Sequence, residues 1–302
     1  MIRNVYVRAS PGSPYRLMPY PFTIDSMPTP FTHLRIAQDL LRDERLPRLY
    51  RDLLTRQLPA FQLGSIVADA RVSSGVGREV THFYAYGRPI SARPWRAMLR
   101  QHGSLAQAQD EAHLAFLAGY VAHLATDEAW ALKMVRPQFW GRDWQGLERR
   151  DKFLALHLIL TVMDERDEKE LAPWQAQSLS RCEPNGWLPF MSDDALRGWR
   201  DLVARQIMPG GASETLAIFG RRLQRDPAEI RAVLDDPARM NFYLWRQVPH
   251  SLLAAVERQA YAFTRDQLSV YLTEFMPEPV DLNCGRVSAS PLQAPRPPQH
   301  EM

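Results

Sequence analysis

The chain has 302 residues, a formal net charge of +3 and 45% hydrophobic residues. That balance suits an ordinary globular protein with a sizeable core, and the near-equality of Lys+Arg 37 and Asp+Glu 34 leaves no polyanion-binding face to be read from charge. Two distant cysteines, Cys182 and Cys284, exclude a disulfide framework and a thiolate metal site. Nothing approaches the roughly 18 apolar residues of a membrane helix, or the apolar run of about 7–15 residues of a secretory signal. The expected location is therefore the cytoplasm, with no stable membrane insertion.

Residues 1–26 are rich in proline and turn formers and have no period, which predicts a disordered or loosely attached extension. From Phe31 to about Thr55 apolar residues recur at helical spacing, with a break near Arg45 to Pro47. Ala60 to Ala68 is apolar and ends in a polar turn at Asp69, and residues 71–94 read as irregular. A long helix is expected from about Leu105 to Val135, stopped by Pro137, and another from about Gly146 to Leu171. Shorter helices are expected at 193–207, 212–224 and 227–236, and a last long one over Ser251 to Phe275. The end, 277–302, is again proline-rich, and a disordered tail is expected there. The fold class is all-α, one multi-helix domain over 27–276 with long loops at its site.

Within the expected central helix, His123 and Asp127 stand four apart. At that spacing β-carbons lie about 5–6 Å from each other on one face, and an imidazole and a carboxylate there can chelate one ion. A solvated hydrogen-bonded pair is the commoner meaning of such spacing. Here Leu117, Tyr120, Val121, Leu124, Ala125 and Trp130 make the helix apolar on most sides, and a buried carboxylate is costly unless paired or metal-bound. Asp69, His82 and His33 are less telling one by one. Each is also explained as a turn aspartate, a packed core histidine and an ordinary first-turn residue.

Taken in order, PTPFTHLRIA, LGSIVADAR, the TH of EVTHFY and AGYVAHLATDEAW carry His33, Asp69, His82, His123 and Asp127. This set resembles the zinc-dependent phospholipase C family, whose fold single-strand-specific zinc nucleases share. The likeness covers about residues 27–135. It implies a multi-helix phospholipase C/nuclease-like domain with two zinc ions per chain. One ion would take Asp69, His82, His123 and Asp127, the other His33, with Asp127 bridging. A metal-activated water would attack a phosphodiester, and Asp69 and Asp127 are the implied catalytic residues.

The chain departs from the family pattern at two places. A third-metal histidine is expected ten residues after His123, where Lys133 stands, and four residues after His157 there is Thr161 rather than a carboxylate. The third site is therefore expected to be absent, and His157 to be a core histidine. Secreted family members also use a free terminal amine. Either Met27 is the true start and Pro28 supplies that amine, or residues 1–26 belong and another group fills the place.

Two other functions compete with phosphodiester hydrolysis of a phospholipase C kind. One is a single-strand nuclease using Arg71, Arg78, Tyr84 and Tyr86, although net charge gives nucleic acid no support. The other is a non-catalytic, metal-stabilised binding or scaffold protein. The absence of an adjacent His-Asp pair argues against the other helical two-metal hydrolases, and the sequence does not supply the two Glu-x-x-His motifs that a di-iron bundle needs.

Overall fold

The computed structural model describes residues 27–85, 88–90 and 92–276, and among them there is helix and no strand. The helices are α1 (Pro30–Arg42), α2 (Arg48–Arg56), α3 (Leu58–Ile66), α4 (Arg71–Ser74), α5 (Arg78–His82), α6 (Pro94–Gln101), α7 (Glu111–Trp130), α8 (Arg149–Glu170), α9 (Gln175–Ser180), α10 (Asp193–Ile207), α11 (Thr215–Leu223), α12 (Pro227–Leu234), α13 (Pro237–Met240) and α14 (His250–Phe275). The all-α expectation holds. No described helix is long and apolar enough to cross a membrane. The expected extensions 1–26 and 277–302, together with Tyr86 and His300, lie outside the described residues.

Helix α7 is the axis of the fold. Asp110 caps it by accepting from the His113 amide at 2.8 Å, a carboxylate satisfying an orphan N–H at the positive end of a helix. Every residue from His113 to Trp130 is buried. Helices α1, α3, α6 and α14 pack around it, so no face is left for water. The α3 crossing is backbone to backbone. A β-carbon on Gly119 would lie 2.2 Å from the Phe61 carbonyl oxygen, and one on Gly64 would lie 1.9 Å from that of Phe116. Only glycine at both positions permits that approach.

A second apolar cluster gathers the far end of α7, α8 and the helices from α11 onward, and includes Phe139, Trp144, Ile159, Phe219 and Leu244. Residues 27–32 are tied to α8. Thr29 donates to Asp164, Thr32 donates to Asp167 at 2.6 Å, and Met27 is buried.

Several boundaries differ from the sequence expectation. The long helix starts at Glu111 rather than Leu105, because Leu105 belongs to a separate 3-10 turn, Gly103–Ala106. Pro137 does not stop it. The chain winds on from Ala131 to Trp140 as a π-helix, and Gly141 N–H reaches back five residues to the Arg136 carbonyl at 2.7 Å. The wider turn moves the preceding carbonyls off the pyrrolidine ring, so the proline deletes one donor without breaking the rod. The stretch 71–94 is not wholly irregular, since it holds α4 and α5. One-turn helices of this length leave no period in a sequence. The expected helix at 212–224 begins only at Thr215.

Candidate metal centre

All five predicted ligands meet at one place. His33 comes from the first turn of α1, just inside the helix start set by Pro30. Asp69 sits in the 3-10 turn Val67–Ala70 that extends α3. His82 is the last residue of α5, and His123 and Asp127 are one turn apart on α7. His33, His82, His123 and Asp127 have side chains at most 1% exposed, whereas Asp69 keeps 16% open.

Asp127 is the hub. Its Oδ1 lies 3.5 Å from His33 Nε2, and its Oδ2 lies 3.4 Å from His82 Nε2 and 3.8 Å from His123 Nε2. Asp69 Oδ1 is 3.6 Å from His82 Nε2. These separations are too long for good N–H···O bonds. They match the edge of a tetrahedron around a shared ion, since bonds of about 2.1 Å at the tetrahedral angle hold ligand atoms about 3.4 Å apart. His33, His123 and Asp127 form one group of mutually close ligand atoms, and Asp69, His82 and His123 another.

Hydrogen-bond accounting points the same way. The Nε2 atoms of His33, His82 and His123, and Asp127 Oδ1, are buried without a hydrogen-bond partner. Four converging orphans would be a heavy cost in an ordinary core, so the residues fit a cation. The other ring nitrogens are held. His123 Nδ1 lies 2.9 Å from the Ser65 carbonyl oxygen, which accepts, so Nδ1 carries the proton and Nε2 presents its lone pair. His82 Nδ1 lies 2.9 Å from Thr81 Oγ1, whose own proton goes to the Arg78 carbonyl, and this sets the same tautomer. His33 stacks on His123, ring centroids 3.8 Å apart and 14° from parallel.

Two further residues brace His82. Tyr120 donates to the Thr81 carbonyl at 2.6 Å. Phe83 takes left-handed φ of 60° and packs near Tyr120 and Phe190, turning the chain sharply after the ligand. A bulky residue in that region stores strain of about 1–2 kcal/mol, borne here by a tightly packed site.

The electrostatics favour ligand forms. Burial, and then the nearby His33, push the His123 imidazole down to about 3, so it is neutral at ordinary pH. Burial works to raise Asp127, yet contact with His33 and His82 and the charge of Arg78 hold it well below the usual carboxylate range. Asp69 shows the same contest, burial opposed by His82 and His123, and also ends lowered.

A narrow cleft of about 70 Å³ opens beside the cluster, bordered by Asp69 and Arg78, with apolar walls that include Phe31, Trp199, Leu202 and Phe219. Pro28 borders it too. A larger cavity of about 300 Å³ shares only Thr215 with this cleft, is lined by Glu165, Glu168, Lys169 and Arg231, and touches none of the five ligands.

The residues at the expected third site do not gather. Lys133 is exposed on the π-helical segment. His157 is fully buried edge-on between Phe153 and Phe219, its Nδ1 bonded to its own helix at Phe153, and Thr161 returns its hydroxyl to the His157 carbonyl. His113 turns away from the centre to stack on Trp187. Arg78 is the residue whose role at the centre sequence reading missed. Its Nη2 donates to Asp127 Oδ2 at 3.2 Å from the first turn of α5. No family model, curated protein or solved structure matches the chain, so the centre stands on its own geometry.

Proposed function

We propose that the chain is a metal-dependent hydrolase of phosphodiester bonds, similar in its site to the zinc-dependent phospholipase C family. The observation that carries this reading is the convergence of buried, unpartnered Nε2 atoms and Asp127 Oδ1 at the edge lengths of a metal's coordination shell. Asp69, His82, His123 and Asp127 would hold one ion, and His33 with the other oxygen of Asp127 a second. The mixed nitrogen and oxygen donor set favours zinc. When bound, such ions supply Lewis acidity and make water nucleophilic near neutral pH.

The chain's own groups do the rest. Asp127, with Oδ1 toward His33 and Oδ2 toward His82 and His123, would neutralise positive charge on both sides. Ser65 and Thr81 fix the tautomers of His123 and His82. Asp69, the one ligand with an open edge, faces the cleft and is placed to accept a proton from incoming water. The apolar walls narrow the cleft around the reacting group and limit bulk water there.

The test is turnover of bis-p-nitrophenyl phosphate by zinc-loaded protein, with and without a chelator. Hydrolysis that disappears on chelation and returns with zinc is expected. Full metal loading without any turnover would overturn the hydrolase reading in favour of a metal-stabilised scaffold.

A further inference from the structure

Arg78 is a cation built into the wall between the metal centre and the cleft. Its side chain is 8% exposed, its Nη2 donates to Tyr84 Oη at 2.8 Å and to Asp127 Oδ2 at 3.2 Å, and its guanidinium carbon stands 5.3 Å from the Tyr84 ring centroid. It borders the cleft together with Asp69. Asp69 and Asp127 bring two carboxylates to the centre, and Arg78 sets one positive charge beside them. A cation held by Asp69, His82, His123 and Asp127 would neutralise the carboxylate that now attracts Arg78. The guanidinium, bonded to Tyr84 at the border of the cleft, would then be drawn less strongly to Asp127.

The geometry points to Arg78 as the residue that grips a non-bridging phosphoryl oxygen of the substrate in this cleft, an inference that rests on the phosphodiester reading. A planar guanidinium presents paired N–H donors that match phosphate oxygens, and it keeps its charge in a buried setting where lysine would tend to lose it. The anchor on Tyr84 fixes the fork in advance, so little rotamer freedom is lost on binding. The role differs from metal binding. Arg78 shares Asp127 with the cation but is not a ligand, and its removal leaves the donors on Asp69, His82 and His123 in place.

The experiment uses the zinc-loaded full chain, inorganic phosphate as probe, and Arg78→Met, Arg78→Lys and Tyr84→Phe beside the parent. Calorimetry gives phosphate affinity and elemental analysis gives zinc content. The expected result is phosphate binding weakened at least tenfold in Arg78→Met and by an intermediate factor in Arg78→Lys, at parental zinc content. Turnover of bis-p-nitrophenyl phosphate should fall on the order of 10²-fold in Arg78→Met, the usual loss for one donor to a developing oxyanion. Parental phosphate affinity in zinc-replete Arg78→Met overturns the inference, as does a loaded parent that binds no phosphate. Should Arg78→Met not fold, Arg78→Lys and Tyr84→Phe decide: weakened phosphate binding in both supports the role, and unchanged binding in both overturns it. A parent that binds phosphate through Arg78 yet never hydrolyses the diester sinks the hydrolase reading and leaves Arg78 as an anion-binding residue. A parent that hydrolyses with Arg78→Met its equal sinks Arg78 alone.

Discussion

Gly119→Ala places one methyl group where the central helix touches α3. Its β-carbon would stand 2.2 Å from the Phe61 carbonyl oxygen and 2.7 Å from the Ser65 nitrogen, whereas real β-carbons essentially never come within 3.0 Å of a neighbour. Both obstacles are backbone, so no rotamer relieves them, and the helices must part by at least 0.8 Å, the difference between 3.0 and 2.2. Alanine gains about 1 kcal/mol over glycine in helix propensity. Overpacking of a rigid contact costs about 1–3 kcal/mol and sometimes more. A net loss of about 2 kcal/mol is expected. The damage should also reach the metal. The Ser65 carbonyl that orients His123 at 2.9 Å rides on α3, and the same 0.8 Å parting stretches that bond beyond hydrogen-bond range. Loss of a partner that orients a ligand imidazole typically weakens metal binding about 10–100-fold. Chemical unfolding of the chelated protein gives the first quantity and a competitive zinc titration the second. Gly198→Ala is the control, because a β-carbon there meets nothing within 4 Å on α10. It should stabilise by about 0.5–1 kcal/mol and leave zinc affinity alone. If Gly119→Ala were as stable as Gly198→Ala and held zinc within twofold of the parent, the account of the α3–α7 contact would be wrong.

Asp127→Asn keeps the shape but removes the charge placed between His33, His82 and His123. Elemental analysis should fall from about two zinc ions per chain toward zero, and equal loading of variant and parent would remove the bridging role. His33→Ala should lose only the second ion and keep the one at Asp69, His82 and His123, which a stoichiometric zinc titration resolves. Asp164 is pushed up to about 7 by burial, despite hydrogen bonds from Thr215 and Thr29. The folded chain therefore holds this proton more tightly than the unfolded one, whose carboxyl titrates near 3.8, and stability is lost as pH rises between those values. At about 1.4 kcal/mol per unit the loss is on the order of 4 kcal/mol, and Asp164→Asn should remove that slope from unfolding curves taken between pH 4 and 8. An identical slope in the variant would assign the effect elsewhere.

What was legible in the sequence followed from local spacing. His123 and Asp127 announce themselves by a four-residue step on a helix with no polar face, and the structure buries both. The break expected near Arg45 to Pro47 likewise falls between real helices, α1 ending at Arg42 and α2 starting at Arg48, and the start expected at Phe31 lies one residue from Pro30. Asp69, His82 and His33 were found through the order of a family-like set, because nothing within a few residues of each marks it. Arg78 reads in the sequence only as a candidate nucleic-acid contact beside Arg71, Tyr84 and Tyr86. Its partner Asp127 lies 49 positions away, and that pairing exists only after folding. The Ser65 carbonyl is a backbone group, so no residue type signals it. The ties from Thr29 to Asp164 and from Thr32 to Asp167 each span 135 positions and were invisible for the same reason.

The wrapping of α7 has a consequence for the order of events in assembly. An amphipathic helix can dock early by its one greasy stripe, but α7 has no stripe and must be enclosed from every side. Its covers come from residues 30–66, 94–101 and 250–275, so the enclosure closes only when segments far apart in the chain have met. Contacts of such long range form late and slowly. During synthesis at about 5–20 residues per second, His123 and Asp127 on α7 leave the ribosome several seconds before α14 exists to cover them. Enclosure of His123 and Asp127 thus waits for α14, and belongs to a late stage of the chain rather than to the growing one.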